Sequence, residues 1–235
     1  MIAVLVILGV AALGLAIIYY VLQANTRKPA APTRISGDKI ALPTPRYTST
    51  TSVEEAMLKR RSVRDYRRVP LTLAEVSQLL WAAQGITDSR GFRTAPSAGA
   101  TYPLEVYLVA GQVEGLAPGV YHYTPRDVAL TLVVEGDRRA VLADASLSQA
   151  WVRDGAVSLV FTAIYERTTD HYGYRGTMYV HMEAGHASQN VYLQAVALGL
   201  GTVAVGAFDE SKVKQVLALP EREKPLYIMP VGRPR

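Results

Sequence analysis

The sequence has no cysteine among its 235 residues. Disulfide scaffolds, thiolate zinc sites, iron–sulfur clusters and cysteine nucleophiles are therefore excluded. It also lacks a Walker A motif, and the glycines of Gly199–Gly206 follow a predicted helix with the wrong spacing for a dinucleotide fingerprint. His181 and His186 are five residues apart, unlike the i, i+4 histidine pair of a zinc helix, so we predict no metal site.

Charge of either sign is scarce, at 19% of residues, and the net charge is +5. Three of the 25 basic residues are Arg27, Lys28 and Arg34, which leaves 22 basic and 20 acidic residues in the rest of the chain. A nearly neutral domain on a basic stalk is not typical of proteins that bind a phosphate backbone. We predict no nucleic-acid partner.

One long hydrophobic run, residues 2–22, has no charged side chain. A helix of that length reaches about 30 Å, the thickness of a bilayer core. A secretory signal would have basic residues before the apolar core, and a buried helix rarely runs so long without charge. We therefore predict a transmembrane anchor over residues 1–23, and the basic residues after it favour a cytoplasmic location for the rest of the chain.

Residues 24–52 are rich in Pro, Ala, Ser and Thr and have no apolar period, which predicts a linker. Apolar residues then recur at helical spacing in Leu73–Gln84 and Met178–Leu198. Short β-branched or aromatic runs between turns predict strands at 104–110, 120–124, 129–134 and 156–164. This mixed order predicts one α+β domain over residues 53–235 with a partly antiparallel sheet flanked by helices.

Two basic segments could bind an anion. Arg60, Arg61, Ser62 and Arg64 combine guanidinium forks with a hydroxyl donor, a set that suits a phosphate group. A solvated basic face is the alternative interpretation. Arg233, after the last predicted strand, either joins this group or lies in a free tail.

Two segments of small residues could contact a flat ligand. Thr94–Pro103 contains Pro96, Ser97, Ala98 and Gly99 and leads directly into a strand, although a tight turn would have the same composition. The second segment, Val205, Gly206 and Ala207, lies at a predicted strand end. Between them, Glu183, His186 and Asn190 form a polar stripe on a helix, facing either a ligand or a packed neighbour.

Four of these motifs occur in an order that resembles the FMN-dependent nitroreductase family, in particular its SagB-type, azoline dehydrogenase-like branch. They are RRSVRDY at 60–66, APSAGATYPLEVY at 95–107, EAGHASQNVYLQAVALGLGTVAVGAFD at 183–209 and PVGRP at 230–234. The similarity covers residues 53–235. It implies a two-layer α+β fold that binds FMN without a covalent bond, at the interface of a homodimer.

The resemblance also implies roles for individual residues. Arg60, Arg61, Ser62 and Arg64 would hold the FMN phosphate and ribityl chain, with Arg233 assisting. Pro96, Ser97, Ala98 and Gly99 would approach the flavin from the partner subunit, and Val205, Gly206 and Ala207 would lie along its ring.

One departure from the family pattern lies in the segment before the helix that carries the E-x-G-H motif, at residues 183–186. Azoline dehydrogenases carry a Lys-Tyr pair there, and this chain has His171 and Tyr172. The missing lysine weighs against oxidation of peptide heterocycles. His171 and Tyr172 remain the candidate catalytic residues, because either side chain can exchange a proton near a flavin.

The expected function is an FMN-dependent oxidoreductase that moves hydride from a reduced donor, NADH or NADPH, to a small electron-poor acceptor such as a nitroarene or quinone. Two alternatives remain: a dehydrogenase of azoline or other peptide heterocycles, and a membrane-tethered flavin-binding protein without turnover.

Overall fold

The computed structural model describes residues 32–235. The predicted anchor at 1–23 and the first part of the predicted linker lie outside the described residues. Within residues 32–235, no helix is both long enough and apolar enough to cross a membrane.

The described chain folds into a sheet with helices on both faces. The strands are β1 Lys39–Ala41, β2 Tyr66–Arg67, β3 Leu104–Ala110, β4 Gly119–Thr124, β5 Ala129–Glu135, β6 Val157–Ala163, β7 Gly201–Thr202 and β8 Lys224–Pro234. The helices are α1 Val53–Lys59, α2 Leu73–Gln84, α3 Arg139–Ala145, α4 Ala150–Asp154, α5 Glu166–Tyr172, α6 Arg175–Ala197 and α7 Glu210–Leu217.

The sheet runs in the order β1-β5-β4-β3-β6-β8-β2, with β7 paired to β8. Every pairing between named strands is antiparallel. Strand β6 lies in the interior of the sheet, and all seven of its residues are buried. A continuous apolar run is typical of such a strand because both of its faces are covered. The predicted α+β class with an antiparallel sheet is confirmed.

Alternate residues of the sheet enter two separate cores. Val106 and Leu108 of β3 pack with α2 and α6, whereas Tyr107 and Val109 of the same strand pack with α3, α4 and α7. The expectation of two layers is therefore wrong, since helices cover both faces and make three layers. The short helices α3 and α4 were missed because five to seven residues are too few to show a helical period.

Part of the predicted linker is a component of the domain. Residues 39–41 form β1 against β5, and Ile35 donates its backbone N–H to the Val133 carbonyl at 2.9 Å. The Arg34 guanidinium donates to the Ala218 carbonyl at 3.0 Å. A free sheet edge recruits extended chain of almost any composition, because the contacts are made by the backbone. Strand β1 could therefore not be predicted from sequence, because residues 24–52 have no apolar period.

Candidate flavin site

Segment 60–64 is held against the sheet at the point where α1 ends. Ser52 caps the start of α1 by accepting the Glu55 amide, and Arg60 follows the last helical turn. The chain then runs beside β7, where the Val63 amide donates to the Thr202 carbonyl at 2.9 Å. A Cβ on Gly201 would lie 2.7 Å from the Cβ of Val63, so this close approach requires glycine.

Tyr192 of α6 joins two of the predicted contact segments. Its hydroxyl accepts the backbone N–H of Ala204 at 2.7 Å and shares a hydrogen bond with the Ser62 hydroxyl at 3.2 Å. The Arg60 guanidinium lies 5.3 Å from the centroid of the Tyr192 ring. Segment 60–64 and the Val205–Ala207 strand end are therefore neighbours in one chain. Tyr192 is not among the residues predicted from sequence, because a single tyrosine in a largely apolar helix carries no distinguishing signal.

The arginines of this segment differ from Arg233 in their partners. Within residues 32–235, neither Arg60, Arg61 nor Arg64 forms an ion pair with a carboxylate. The Arg61 guanidinium donates to the carbonyls of Leu58 and Arg60 at 3.0 and 2.7 Å. Arg233 instead forms an ion pair with Glu75 at 2.9 Å. The exposed segment has positive charge available for an anion, and Arg233 is already partly neutralised.

The strand end offers exposed backbone. Val205 exchanges hydrogen bonds with Ile228 at 2.8 and 3.0 Å, after which the chain leaves the sheet. Gly206 and Ala207 are exposed, and within the described chain neither amide donates to another backbone group. The Ala207 carbonyl accepts from Gln149 at 2.9 Å. Two amide donors with no side chain larger than a methyl group beside them suit a flat ligand with acceptor atoms at its edge.

Loop 96–99 is shaped by local hydrogen bonds. Ser97 accepts the Tyr102 amide at 2.9 Å, and Gly99 has φ of 59° inside a turn of 3₁₀ helix. A Cβ on Gly99 would lie 2.7 Å from the Tyr172 hydroxyl. The structure therefore brings Tyr172 to this loop. His171 is exposed and contacts the Tyr172 ring edge-on, with centroids 4.5 Å apart.

The two halves of the predicted site lie on different sides of α6. Asn190 donates to the Thr94 carbonyl at 3.2 Å, at the start of the loop region, whereas Tyr192 contacts Ser62 and Ala204. Side chains two positions apart on a helix point about 200° away from each other. Within one chain, segment 60–64 therefore lies next to Val205–Ala207, and loop 96–99 lies apart from both.

The polar stripe of α6 does not share one environment. Glu183 is 3% exposed, His186 is exposed, and Asn190 is half-buried. Burial raises the pKa of Glu183 to about 7, although a hydrogen bond with Ser97 and the charge of Arg93 favour the anion. Its Oε1 has no hydrogen-bond partner in residues 32–235. Glu183 therefore lies beneath loop 96–99 as a buried carboxyl group whose ionised form is disfavoured.

Comparison with known proteins identifies the family of this chain. The sequence profile of the nitroreductase family matches residues 57–233. The chain belongs to the nitroreductase family. Membership makes the protein an oxidoreductase enzyme and confirms the family resemblance.

Three relatives of this nitroreductase-family chain extend the finding. A predicted nitroreductase of Methanocaldococcus jannaschii is 50% identical over 181 residues, which cover 77% of this chain and 90% of that protein. The NADPH-flavin oxidoreductase of Vibrio harveyi is 31% identical over 115 residues, covering 46% of this chain and 48% of that protein. A chain of the Escherichia coli microcin synthetase McbBCD complex, solved with truncated pro-MccB17 bound, has a TM-score of 0.64 at 25% identity, covering 91% of this chain and 81% of that one.

We expect Glu183→Gln to remove a pH-dependent cost of folding. The raised pKa means that the folded protein binds this proton more tightly than the unfolded chain, whose carboxyl has an ordinary pKa near 4.5. Wild-type stability therefore falls as pH rises from about 4.5 to 7, by about 3 kcal/mol from this group. The variant should gain on wild type across that range, and the gain should level off above it.

Urea unfolding at several pH values measures the difference. Glu114→Gln is the control, because Glu114 is exposed. A constant stability difference between Glu183→Gln and wild type from pH 5 to 8 would contradict the assignment.

Proposed function

We propose that this protein binds FMN and moves hydride from NADH or NADPH to a small electron-poor acceptor, such as a nitroarene or a quinone. One observation carries the proposal. Tyr192 brings segment 60–64 next to the strand end with the exposed Gly206–Ala207 backbone. The arginines of that segment have no carboxylate partner in the described chain. An anion can be bound at one end of this surface and a flat acceptor-rich ring at the other. These residues fit the phosphate and the ring of FMN.

Each group has a role in binding or positioning. Arg60, Arg61, Arg64 and the Ser62 hydroxyl would hold the phosphate and ribityl chain, and Arg233 would assist while it stays paired with Glu75. The backbone of Val205, Gly206 and Ala207 would lie along the ring. FMN, when bound, supplies the hydride chemistry, and the chain supplies position and electrostatics. Tyr172 and His171, which lie beside loop 96–99, would hold or move a proton there.

The nicotinamide donor is supported by similarity to the NADPH-flavin oxidoreductase of Vibrio harveyi. This chain spans about half of that protein, so the donor is part of the proposal. A second candidate function, dehydrogenation of a peptide heterocycle, is favoured by similarity to the microcin synthetase complex. His171 in place of the expected lysine weighs against it.

The full-length chain purified in detergent should carry close to one FMN per subunit. Its visible absorbance should bleach on anaerobic addition of NADH or NADPH and return when a quinone or nitroarene is added. Bound flavin that no nicotinamide reduces would contradict the proposed donor. Flavin that neither a nicotinamide nor an azoline-containing peptide reduces would favour a binding protein without turnover.

Replacing Arg60 and Arg61 together by alanine should abolish flavin retention, because the phosphate loses two charge-assisted hydrogen-bond donors. Flavin per subunit after gel filtration is the measurement. Arg68→Ala is the matched control, since Arg68 is an exposed arginine nearby that forms no ion pair in the described chain. Unchanged stoichiometry in the double variant would remove the phosphate assignment.

We also propose that the active unit is a homodimer in which loop 96–99 of one subunit approaches the flavin of the other. The loop is separated from segment 60–64 by α6 within one chain. The start of α6 exposes Tyr174, Met178 and Met182, which are 88%, 45% and 50% exposed. Their spacing of four residues places them on one face, and an apolar face of this kind is typical of an interface.

Met182→Glu should weaken the dimer and lower flavin retention together, because a charge would be buried in the interface. Light scattering after size exclusion gives the subunit number, and absorbance gives the flavin content. Val141→Glu on α3, where Val141 is 41% exposed, is the matched control. A variant that stays dimeric, or a wild-type monomer that retains FMN, would contradict this arrangement.

The location of the protein is a further proposal, which rests on sequence alone. Residues 2–22 carry no charge, and Arg27, Lys28 and Arg34 follow them. We infer a single N-terminal membrane anchor with the folded domain on the cytoplasmic side.

The double variant Leu8→Lys with Ala12→Lys should be released from carbonate-washed membranes, because two charges near the bilayer centre oppose insertion. Val141→Lys, in the folded domain, should stay with the membrane. Release of the unaltered chain by the same wash would overturn the anchor.

A further inference from the structure

A groove on the domain surface lies away from the residues assigned to FMN. It consists of two adjoining cavities of about 380 and 330 Å³, which share Ile86, Gly91, Pro125 and Arg126. The hairpin 86–93 forms part of both, since Ile86 and Arg93 form an antiparallel bridge. We call it the Arg126 groove. None of the residues that we assign to FMN lines either cavity.

One end of the Arg126 groove is positively charged. The cavity of about 380 Å³ is lined by Arg90, Arg93 and Arg126. Arg93 donates to the Gln84 Oε1 at 2.6 Å, lies 4.5 Å from the Tyr102 ring centroid, and forms no ion pair in residues 32–235. Arg126 is exposed and likewise has no ion pair there. Arg90 pairs with Asp88, but an exposed pair of this kind contributes little. The net charge at this end is positive.

The other end is aromatic and contains buried polar atoms without partners. Tyr47 and Trp81 pack with their rings tilted by 54° and their centroids 5.5 Å apart. Tyr123, which is 1% exposed, lines the same cavity. Within the described chain, Trp81 Nε1 and the Tyr123 hydroxyl are buried and have no hydrogen-bond partner. Native proteins rarely leave such atoms unpaired, because a buried polar group without a partner loses the hydrogen bond that water supplies in the unfolded chain.

The chemistry of the unpaired atoms indicates what is missing. The indole N–H of Trp81 can only donate, and the Tyr123 hydroxyl can donate as well. With the arginines, all these groups seek oxygen acceptors. The aromatic walls favour a planar ligand.

We propose that the Arg126 groove is a binding site for a planar aromatic anion, with a carboxylate at the arginine end and an oxygen acceptor at the Trp81–Tyr123 end. This site is independent of the proposed flavin site, because none of the residues assigned to FMN lines it. Its arginine cavity also includes Ala100 and Tyr102, which follow loop 96–99. A ligand in the groove would therefore contact the base of the loop that we assign to the partner's flavin.

Terephthalate is a suitable probe, because it is planar, carries a carboxylate at each end and does not accept hydride. Isothermal titration calorimetry of the full-length protein should give one binding site per chain. The neutral analogue 1,4-benzenedimethanol keeps the ring and two oxygens without the charges, and it should bind at least about tenfold more weakly. No heat with terephthalate at millimolar concentration, or equal affinity for both compounds, would overturn the proposal.

Two variants locate the binding. Arg126→Ala should weaken terephthalate binding by about tenfold or more, since a hydrogen bond to a charged group is lost. Arg138→Ala removes the same charge from a residue outside the groove, and it should leave the affinity unchanged. Arg61→Ala should also leave it unchanged. If Arg61→Ala weakens binding as much as Arg126→Ala, the anion binds at segment 60–64 and the proposal fails.

Tyr123→Phe separates a ligand contact from a structural role. The variant removes a buried hydroxyl that has no partner in the described chain, so the free energy of unfolding should stay the same or rise. Terephthalate affinity should nevertheless fall severalfold. A loss of stability together with unchanged affinity would show that the hydroxyl serves the fold and would overturn its role in the site.

Discussion

The packing of helix α6 on the sheet is the constraint on which the rest of the structure depends. This helix of 23 residues buries Val180, Ala184, Ala187 and Val191 against the apolar core of the sheet. Small side chains at two of these positions let the helix approach the strands closely. Once this face is buried, the direction of every other side chain on the helix is fixed. Tyr192 then points to Ser62 and Ala204, and Asn190 points to Thr94.

The same packing divides the predicted flavin site in two. The segments that we propose for the FMN phosphate and ring meet through Tyr192 in a single chain, whereas loop 96–99 lies on the other side of α6. A second subunit is the simplest way to complete such a site. The proposed dimer interface at the exposed methionines of α6 and the proposed flavin site therefore form one hypothesis. Glu183, on the same helix, is buried, lies close to Ser97 and is costly to ionise.

The distribution of charge partners separates structural arginines from available ones. Arg233 and Arg167 form ion pairs with Glu75 and Glu105 and hold elements of the domain together. Arg60, Arg61 and Arg64 have no carboxylate partner in the part of the chain that the structure describes, and the same holds for Arg93 and Arg126. A guanidinium left without a partner on a folded surface is positioned for a ligand anion. These two groups of arginines lie at different places, and so we assign them to different ligands.

The sequence by itself determined the α+β class, the central strands and the candidate segments, because hydrophobic period and glycine placement are local properties. It also identified the family, since four short motifs in order carry that information. The tertiary structure decided which segments meet, because contacts between residues 62, 192 and 204 depend on how helix and sheet pack. It alone placed residues 39–41 in the sheet and revealed the Arg126 groove. Unpaired donors become visible only when the fold removes them from water, which no sequence pattern records.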